Sequence, residues 1–356
     1  MIKTYINGVG CISAQKTVDT DFLEEVVSFN DENILPIQVP VYKDFIAPTA
    51  IRRMAKGVKN GTVAAAIAMK EAGVEQLDAI ITGTGMGCIE DSDKFLKALI
   101  DNNEEFLTPT SFIQSTHNTV GSQIALGLQC KAYNFTYVNA AVSFESALLD
   151  AKMKIEESEA ETILIGGVDE MSDYTGSLFK LAGLIKKEED KPYGILNSTT
   201  KGAVYSEGAT FFVLENRKKE TTYAEVLDVE IYNTIATDEI EEKVIQFLEQ
   251  NNLLPSDVDA LILGFNGDVD YDSYYKILSD TMFVNATQIY YKHLSGEYNT
   301  ASAFGLWTGV KIIKNQYIPD CLRINAIEKS NYKTILSYNQ YKGLDHSFTL
   351  ITNGNS

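Results

Sequence analysis

Short, wholly apolar runs alternate along this chain with longer segments in which apolar residues fall every third or fourth position. That alternation predicts strands and helices in turn. Residues 2–12 read as a strand that ends in a turn at Gly8-Val9-Gly10, and residues 19–35 as an acidic, partly helical stretch ended by Pro36. Residues 56–72 carry Val63, Ala64, Ile67 and Ala68 at helical spacing, with Gly73 as the stop. Residues 77–82 predict a buried strand that runs into Gly83-Thr84-Gly85-Met86-Gly87. Residues 91–100 predict a helix, Thr108-Pro109-Thr110 a loop, and His117 to Ala125 the opening of another helix. Residues 162–168 and 210–214 predict further buried strands. The pattern then repeats its character: strand 223–233, amphipathic helix 241–250, buried strand 260–264, helix 271–279, short strand 287–290, loop 292–299 and helix 300–313. Two strand-like runs, 333–338 and 347–352, close the chain. Strands alternating with helices indicate an α/β protein with largely parallel sheets buried on both faces. The highly charged run 215–222 places a boundary between two units, 1–218 and 219–356.

One stretch organises the rest. Residues 133–138 are aromatic and β-branched, which predicts a buried strand, and Asn139-Ala140-Ala141 lets the backbone turn sharply. Ser143 is placed to cap the helix that starts Phe144-Glu145-Ser146-Ala147. A strand-to-helix turn of this kind presents a nucleophile to the positive end of a helix. Here the tip carries Ala141, which has no nucleophilic atom.

Composition narrows the function. The 356 residues are 45% hydrophobic and 22% charged, enough for two domain-sized units with a sizeable core. A net charge of -19 argues against nucleic acid and against electrostatic attraction to an acidic carrier protein. The four cysteines, Cys11, Cys88, Cys130 and Cys321, are scattered and form no C-x-x-C pair, so a reducing compartment is expected. The three histidines, His117, His293 and His346, make no metal spacing with them, so no metal is expected. The N-terminal residues lack a signal-peptide profile and no run is long enough for a membrane span, which gives a cytoplasmic expectation. The glycines after residue 82 admit phosphate binding or a tight backbone crossing; their spacing is not the dinucleotide one and favours the crossing. His117 reads either as a base or as a structural polar residue, with no catalytic partner evident in the sequence.

Several stretches resemble the β-ketoacyl synthase family of the thiolase superfamily. They are Ile51-Arg52-Arg53-Met54, Gly83-Thr84-Gly85-Met86-Gly87, Leu164-Ile165-Gly166-Gly167-Val168-Asp169-Glu170, and Ser206-Glu207-Gly208-Ala209 followed by Leu214-Glu215. In the second half, Lys292 to Ala303 is similar to the family's K-S-x-x-G-H-x-x-x-A-A-G run. The resemblance covers essentially the whole chain. It implies a thiolase-like, duplicated α-β-α-β-α five-layer fold, a dimer, no cofactor, and condensation of acyl thioesters held on a carrier protein. That chemistry uses a cysteine, two histidines and an oxyanion hole of backbone N–H groups.

Carried across position by position, the catalytic set is absent. The cysteine position matches Ala141, the first histidine Asn266 and the second Glu297, while Lys292 is retained. Lys342-Gly343-Leu344-Asp345-His346 stands where the family has a glycine-rich loop. A glutamate facing a developing enolate would repel it. The resemblance therefore implies a non-catalytic subunit like a chain-length factor of type II polyketide or aryl-polyene systems. Such a subunit pairs as a heterodimer with an active ketosynthase, leaving the acyl carrier protein to that partner. Phe135, Tyr137 and Asn139 would lie at the interface, and Phe112 and Phe144 would line or close the partner's acyl tunnel, with Phe144 equally readable as core. The alternative is an active condensing or acyl-transferring enzyme with a displaced nucleophile. Ser143 with His117, or Cys88 or Cys130, are its candidates.

Overall fold

The computed structural model describes residues 2–29 and 31–354. The first half runs β1 (Thr4–Ile12), α1 (Pro48–Ile51), α2 (Lys56–Ala72), β2 (Ala79–Gly83), α3 (Ile89–Asp101), α4 (Pro109–Ser115), α5 (Thr119–Leu128), β3 (Tyr133–Tyr137), α6 (Ser143–Glu156), β4 (Thr162–Asp169), α7 (Asp173–Leu181) and β5 (Gly208–Glu215). The second runs β6 (Ala224–Tyr232), α8 (Ile240–Gln250), β7 (Ala260–Leu263), α9 (Ser273–Ile277), β8 (Thr287–Tyr290), α10 (Lys292–Ser295), α11 (Ser302–Asn315), β9 (Thr334–Tyr341) and β10 (Asp345–Thr352).

Among the described residues ten strands form one sheet in the order β3-β2-β4-β5-β1-β6-β10-β9-β7-β8. Numbered within its own half, each set of five reads 3-2-4-5-1 from the outer edge inward. The pairing senses match as well: parallel, parallel, antiparallel, antiparallel in both halves. Among the described strands, the two sets of five pair through Thr4–Ile6 of β1 against Ala224–Val226 of β6. The duplication reaches single residues. Leu77-Asp78-Ala79-Ile80-Ile81-Thr82-Gly83 is matched by Val258-Asp259-Ala260-Leu261-Ile262-Leu263-Gly264. Asp78 accepts from the N–H groups of Glu161 and Thr162 at 2.9 Å, and Asp259 from those of Lys333 and Thr334 at 2.7 and 3.0 Å. Each aspartate ties the start of its half's second strand to the start of the fourth.

Three cores separate five layers. α6 and α11 form the middle layer, packed with residues of both five-stranded sets such as Ile81, Ile163, Phe212, Ile262 and Ile335. α2 and α5 cover the far face of the first set, and α8 and α9 that of the second. This is the thiolase-like ketosynthase architecture.

Several local expectations change. The sheet is mixed rather than largely parallel, because the fifth strand of each half returns antiparallel between the fourth and the first. Gly8 and Gly10 lie inside β1 and not in a turn. A Cβ at Gly10 would sit 2.0 Å from the Ala64 carbonyl oxygen, and one at Gly8 2.1 Å from that of Ala68. Both glycines let the α2 backbone rest on the strand. The described residues of 19–35 form turns instead of a helix, and Ile34 bridges to Tyr205. Pro109 opens α4 where a loop was expected, since proline suits the first helical position. A short helix, α10, occupies the start of the expected loop 292–299.

Candidate functional site

The elbow forms where the sequence places it. After β3 the backbone turns through Ala140, a non-glycine residue at φ +43°, into a 3-10 turn and then α6. Ala141 is buried at the mouth of α6. Ser143 does not cap the helix; it is the first helical residue. Its hydroxyl accepts from the Asn139 N–H at 2.8 Å and lies 2.7 and 3.0 Å from the Ala140 and Thr84 carbonyls, so it braces the turn.

Asn266, Lys292 and Glu297 converge. Lys292 Nζ and Asn266 Nδ2 each donate to Glu297 Oε2 at 2.8 Å. All three side chains are buried. The Glu297 backbone is fixed too: its N–H donates to Val204 O at 2.7 Å and its carbonyl accepts from Ser206 N at 3.0 Å. Asn266 Oδ1 accepts from the Asp268 N–H at 3.0 Å. One turn into α6, Glu145 is fully buried and accepts from Ser347 at 2.8 Å. Burial raises its pKa, and the Lys292 charge offsets part of that rise. Burial also pushes Asp272 up to about 7, against a backbone hydrogen bond from Asn266 and the charge of Lys292.

Residues to which the sequence reading gave no role of their own complete the surroundings. Asp169 accepts five hydrogen bonds, from Thr84 Oγ1, the N–H groups of Gly85, Met86 and Thr300, and Thr300 Oγ1. It ties the glycine-rich segment after β2 to the turn before α11. That gives those glycines their reason: a Cβ at Gly85 would lie 2.2 Å from Asn299, and one at Gly83 2.4 Å from the Ser143 carbonyl. The crossing is tight, and no phosphate need be invoked. Lys186 is buried and its ammonium donates to Ser198 Oγ, Thr200 Oγ1 and the Gly267 carbonyl at 2.8–3.0 Å, holding the Asn266 turn. Asp345, from the segment that replaces the glycine-rich loop, faces the Ala141 N–H, which partly offsets the rise that burial imposes on its pKa. That N–H is the group an oxyanion hole at this elbow would use. Asp169 was visible at the end of an apolar run and Asp345 within the segment that stands in for the glycine-rich loop; nothing in the sequence marks Lys186. The cavity bordered by Glu297, Tyr205, Tyr298 and Tyr341 has a volume of about 40 Å³, water-sized rather than acyl-sized.

The displaced-nucleophile candidates are not brought together. His117 is exposed, whereas Ser143 is buried with its hydroxyl engaged in the turn. Burial pushes the Cys88 thiol far up, away from the reactive thiolate, and Cys130 faces the Leu77 carbonyl at 3.7 Å. The aromatic candidates divide. Phe144 is core, 1% exposed, with its ring 5.7 Å from Phe212. Phe112 is exposed on α4, 5.2 Å from Phe95. β3 is not buried as its composition suggested. It is the outer strand of the sheet, with Tyr133, Phe135 and Tyr137 in one row at ring spacings of 6.1 and 4.9 Å, and Asn139 exposed beyond it. β8, its counterpart, is covered: Ile289 bridges to Arg323, and Thr287 and Gln288 bond to Ile327, Asn325 and Ile324.

Among the described residues no helix is long and apolar enough to cross a membrane. No curated protein matches the chain. Its fold is that of solved structures described as the ishigamide ketosynthase/chain length factor (TM-score 0.79, 17% identity, 98% of each chain covered). A second is a type II polyketide acyl-carrier protein in complex with its ketosynthase, AntDE:AntF (0.77, 16%, 99% of each). A third is the ketosynthase ApeO in complex with its chain length factor ApeC from Xenorhabdus doucetiae (0.73, 13%, 98% of each). Residues 42–220 match the family model for the N-terminal domain of β-ketoacyl synthase, and that match spans the elbow, both glycine-rich strand ends and β5. The chain belongs to the β-ketoacyl synthase family.

Proposed function

We propose that this chain is a non-catalytic, chain-length-factor-type subunit that pairs with an active β-ketoacyl-acyl-carrier-protein synthase and shapes the space open to the growing acyl chain. The observation that carries the reading is the Asn266–Glu297–Lys292 cluster beside an elbow that ends in Ala141. Condensation needs a thiolate to hold the acyl group, and Ala141 offers none. It needs neutral or cationic groups where the enolate charge develops, and Glu297 supplies a carboxylate tied to Lys292.

The bare β3 edge supports a partner. Its five residues carry no charge, and an exposed, uncharged, aromatic edge strand is a template for pairing. Phe135, Tyr137 and Asn139 are the proposed contact residues, and Phe112 on exposed α4 is the proposed residue at the partner's tunnel. Relatives of the same fold are described as ketosynthase and chain-length-factor complexes, one with its carrier protein. With a net charge of -19, the chain is poorly suited to recruit an acidic carrier itself, which leaves that docking to the partner. The two units 1–218 and 219–356 are proposed as the ketosynthase-like halves.

Intact-mass analysis tests the reading. The purified chain is incubated with acyl- and malonyl-carrier protein, alone and with a candidate active ketosynthase. The expected result is no acyl mass on this chain, and product only with the partner present and acylated. Acylation of this chain alone, or condensed product from it, sinks the proposal, and the modified peptide would name the nucleophile.

A further inference from the structure

We infer that Glu297 is an intramolecular ligand: its carboxylate occupies a small-carboxylate binding site built by Lys292 and Asn266, and so keeps external carboxylates out of the centre of the chain. The inference goes beyond the partner-subunit reading and holds whether or not a ketosynthase partner exists, because it concerns the isolated chain.

The geometry is that of a bound anion. Two donors, an ammonium and a side-chain amide, meet on one oxygen, Oε2, at 2.8 Å each. The Asn266 donor is fixed before the carboxylate is counted, and the Lys292 stem is confined by burial. Lys292 begins α10 and is 1% exposed. The Asn266 turn is held by the Asp268 N–H on its own Oδ1 and by Lys186 on the Gly267 carbonyl. The Glu297 main chain is anchored separately, through Val204 and Ser206. Shortening its side chain therefore removes the ligand, leaves the Asn266 donor in place and leaves the Lys292 ammonium buried without its partner. The cleft of about 40 Å³ beside Glu297, together with the volume vacated by a carboxymethyl group, admits a formate or an acetate and nothing as large as an acyl chain.

Two other acids face the cluster. Glu145 feels the Lys292 charge with Oε1 held by Ser347 and Oε2 unpartnered among the described residues, and Asp272 is engaged with the Asn266 backbone through one oxygen. Glu145→Gln/Glu297→Ala, which removes the nearer competing carboxylate, should therefore keep or strengthen rescue by an added carboxylate. A buried ammonium stripped of its partner is strongly unfavourable, so the vacated site should take up a soluble carboxylate.

The test is rescue of the full chain by sodium formate and sodium acetate, each against sodium chloride at equal ionic strength, read as melting temperature. Glu297→Ala should melt below the native chain. Formate should raise its melting temperature saturably, by about 2 °C at a tenfold excess over half-saturation. The native chain should not respond. Glu297→Gln, which still offers an oxygen to both donors, should not respond either, and Lys292→Met/Glu297→Ala should lose the rescue. If Glu297→Ala does not fold unaided, refolding in formate against chloride gives the same reading: recovery in formate alone supports the site, and equal recovery overturns it. A Glu297→Ala chain that ignores formate, or that responds equally to chloride, overturns the assignment.

Discussion

Phe144 separates two accounts of the same residue. As core, it fills the middle layer between the sheets, 1% exposed and with its ring 5.7 Å from Phe212. As tunnel lining, it would border space used by an acyl chain. Phe144→Ala removes a fully buried aromatic side chain from among Ala147, Leu148 and Phe212, which cannot collapse far because α6 is pinned between two sheets. Such truncations cost about 3–5 kcal/mol, with about 0.5–1.5 kcal/mol of aromatic pairing included where a partner ring is lost. The unfolding entropy of roughly 2.1 cal/mol/K per residue, taken over 356 residues, is about 0.75 kcal/mol/K. The expected drop in melting temperature is therefore about 4–7 °C. Phe144→Leu keeps most of the volume and should lose about a third as much. Scanning calorimetry of the isolated chain reads the stability, and product length from a reconstituted pair reads the tunnel. A Phe144→Ala chain that melts within about 1 °C of the native protein while its pair makes longer products would refute the core account.

Three further outcomes follow from other sites. Gly10→Ala should abolish soluble expression, since its Cβ would meet the Ala64 carbonyl at 2.0 Å, whereas Gly127→Ala, on α5 with no atom within 4 Å, should raise stability by up to about 1 kcal/mol in the same chemical-denaturation series. Asp272 and Glu170 are both pushed up to about 7 by burial, so each holds a proton in the folded chain that the unfolded chain releases near pH 4. Their contribution is full below about pH 4 and is lost as pH rises through 7, at no more than about 1.4 kcal/mol per pH unit each. Melting temperature should fall between pH 5 and pH 8, and Asp272→Asn should flatten that fall; an unchanged slope would count against it. Phe135→Lys, on the bare edge, should leave the melting temperature of the isolated chain unchanged and weaken capture of a ketosynthase partner by at least tenfold in a pull-down titration.

Local signals in the sequence located elements well where a single residue sets the boundary. α2 runs over residues 56–72 as the spacing predicts, because Gly73 takes φ +64° and closes the helix. The short strand 287–290 stands out because its neighbours break the apolar run. Local pattern says nothing, however, about which strand lies beside which. The antiparallel fifth strand and the three-residue seam between halves are long-range facts, and both were missed. The duplicated run at residues 77–83 and 258–264 was there to be read, but a single repeat so far apart leaves no visible period. Gly8 and Gly10 look like a turn in isolation; only the helix lying on them explains their place.

The aromatic strand before the elbow misled for a related reason, and the error is informative. Tyr133, Phe135 and Tyr137 have the composition of a buried strand because that composition reports burial, not what does the burying. In the isolated chain Tyr133 and Phe135 stay exposed, with the Lys154 ammonium over the Tyr133 ring, and Tyr137 is half-buried against the core. The site at the centre shows the reverse. Ala141, Asn266 and Glu297 read from the sequence as losses, yet two of the three form bonds: Asn266 and Lys292 each donate to Glu297 at 2.8 Å. A centre whose donors and acceptor satisfy one another has little left to offer a substrate, while an edge strand with unpaired backbone groups has much to offer another strand. The unmet backbone bonding capacity of this molecule therefore lies at the β3 edge, whereas the Asn266–Glu297–Lys292 cluster is closed on itself. Association, more than turnover, is the property in which substitutions at Phe135 should be felt and substitutions at Ala141 should not.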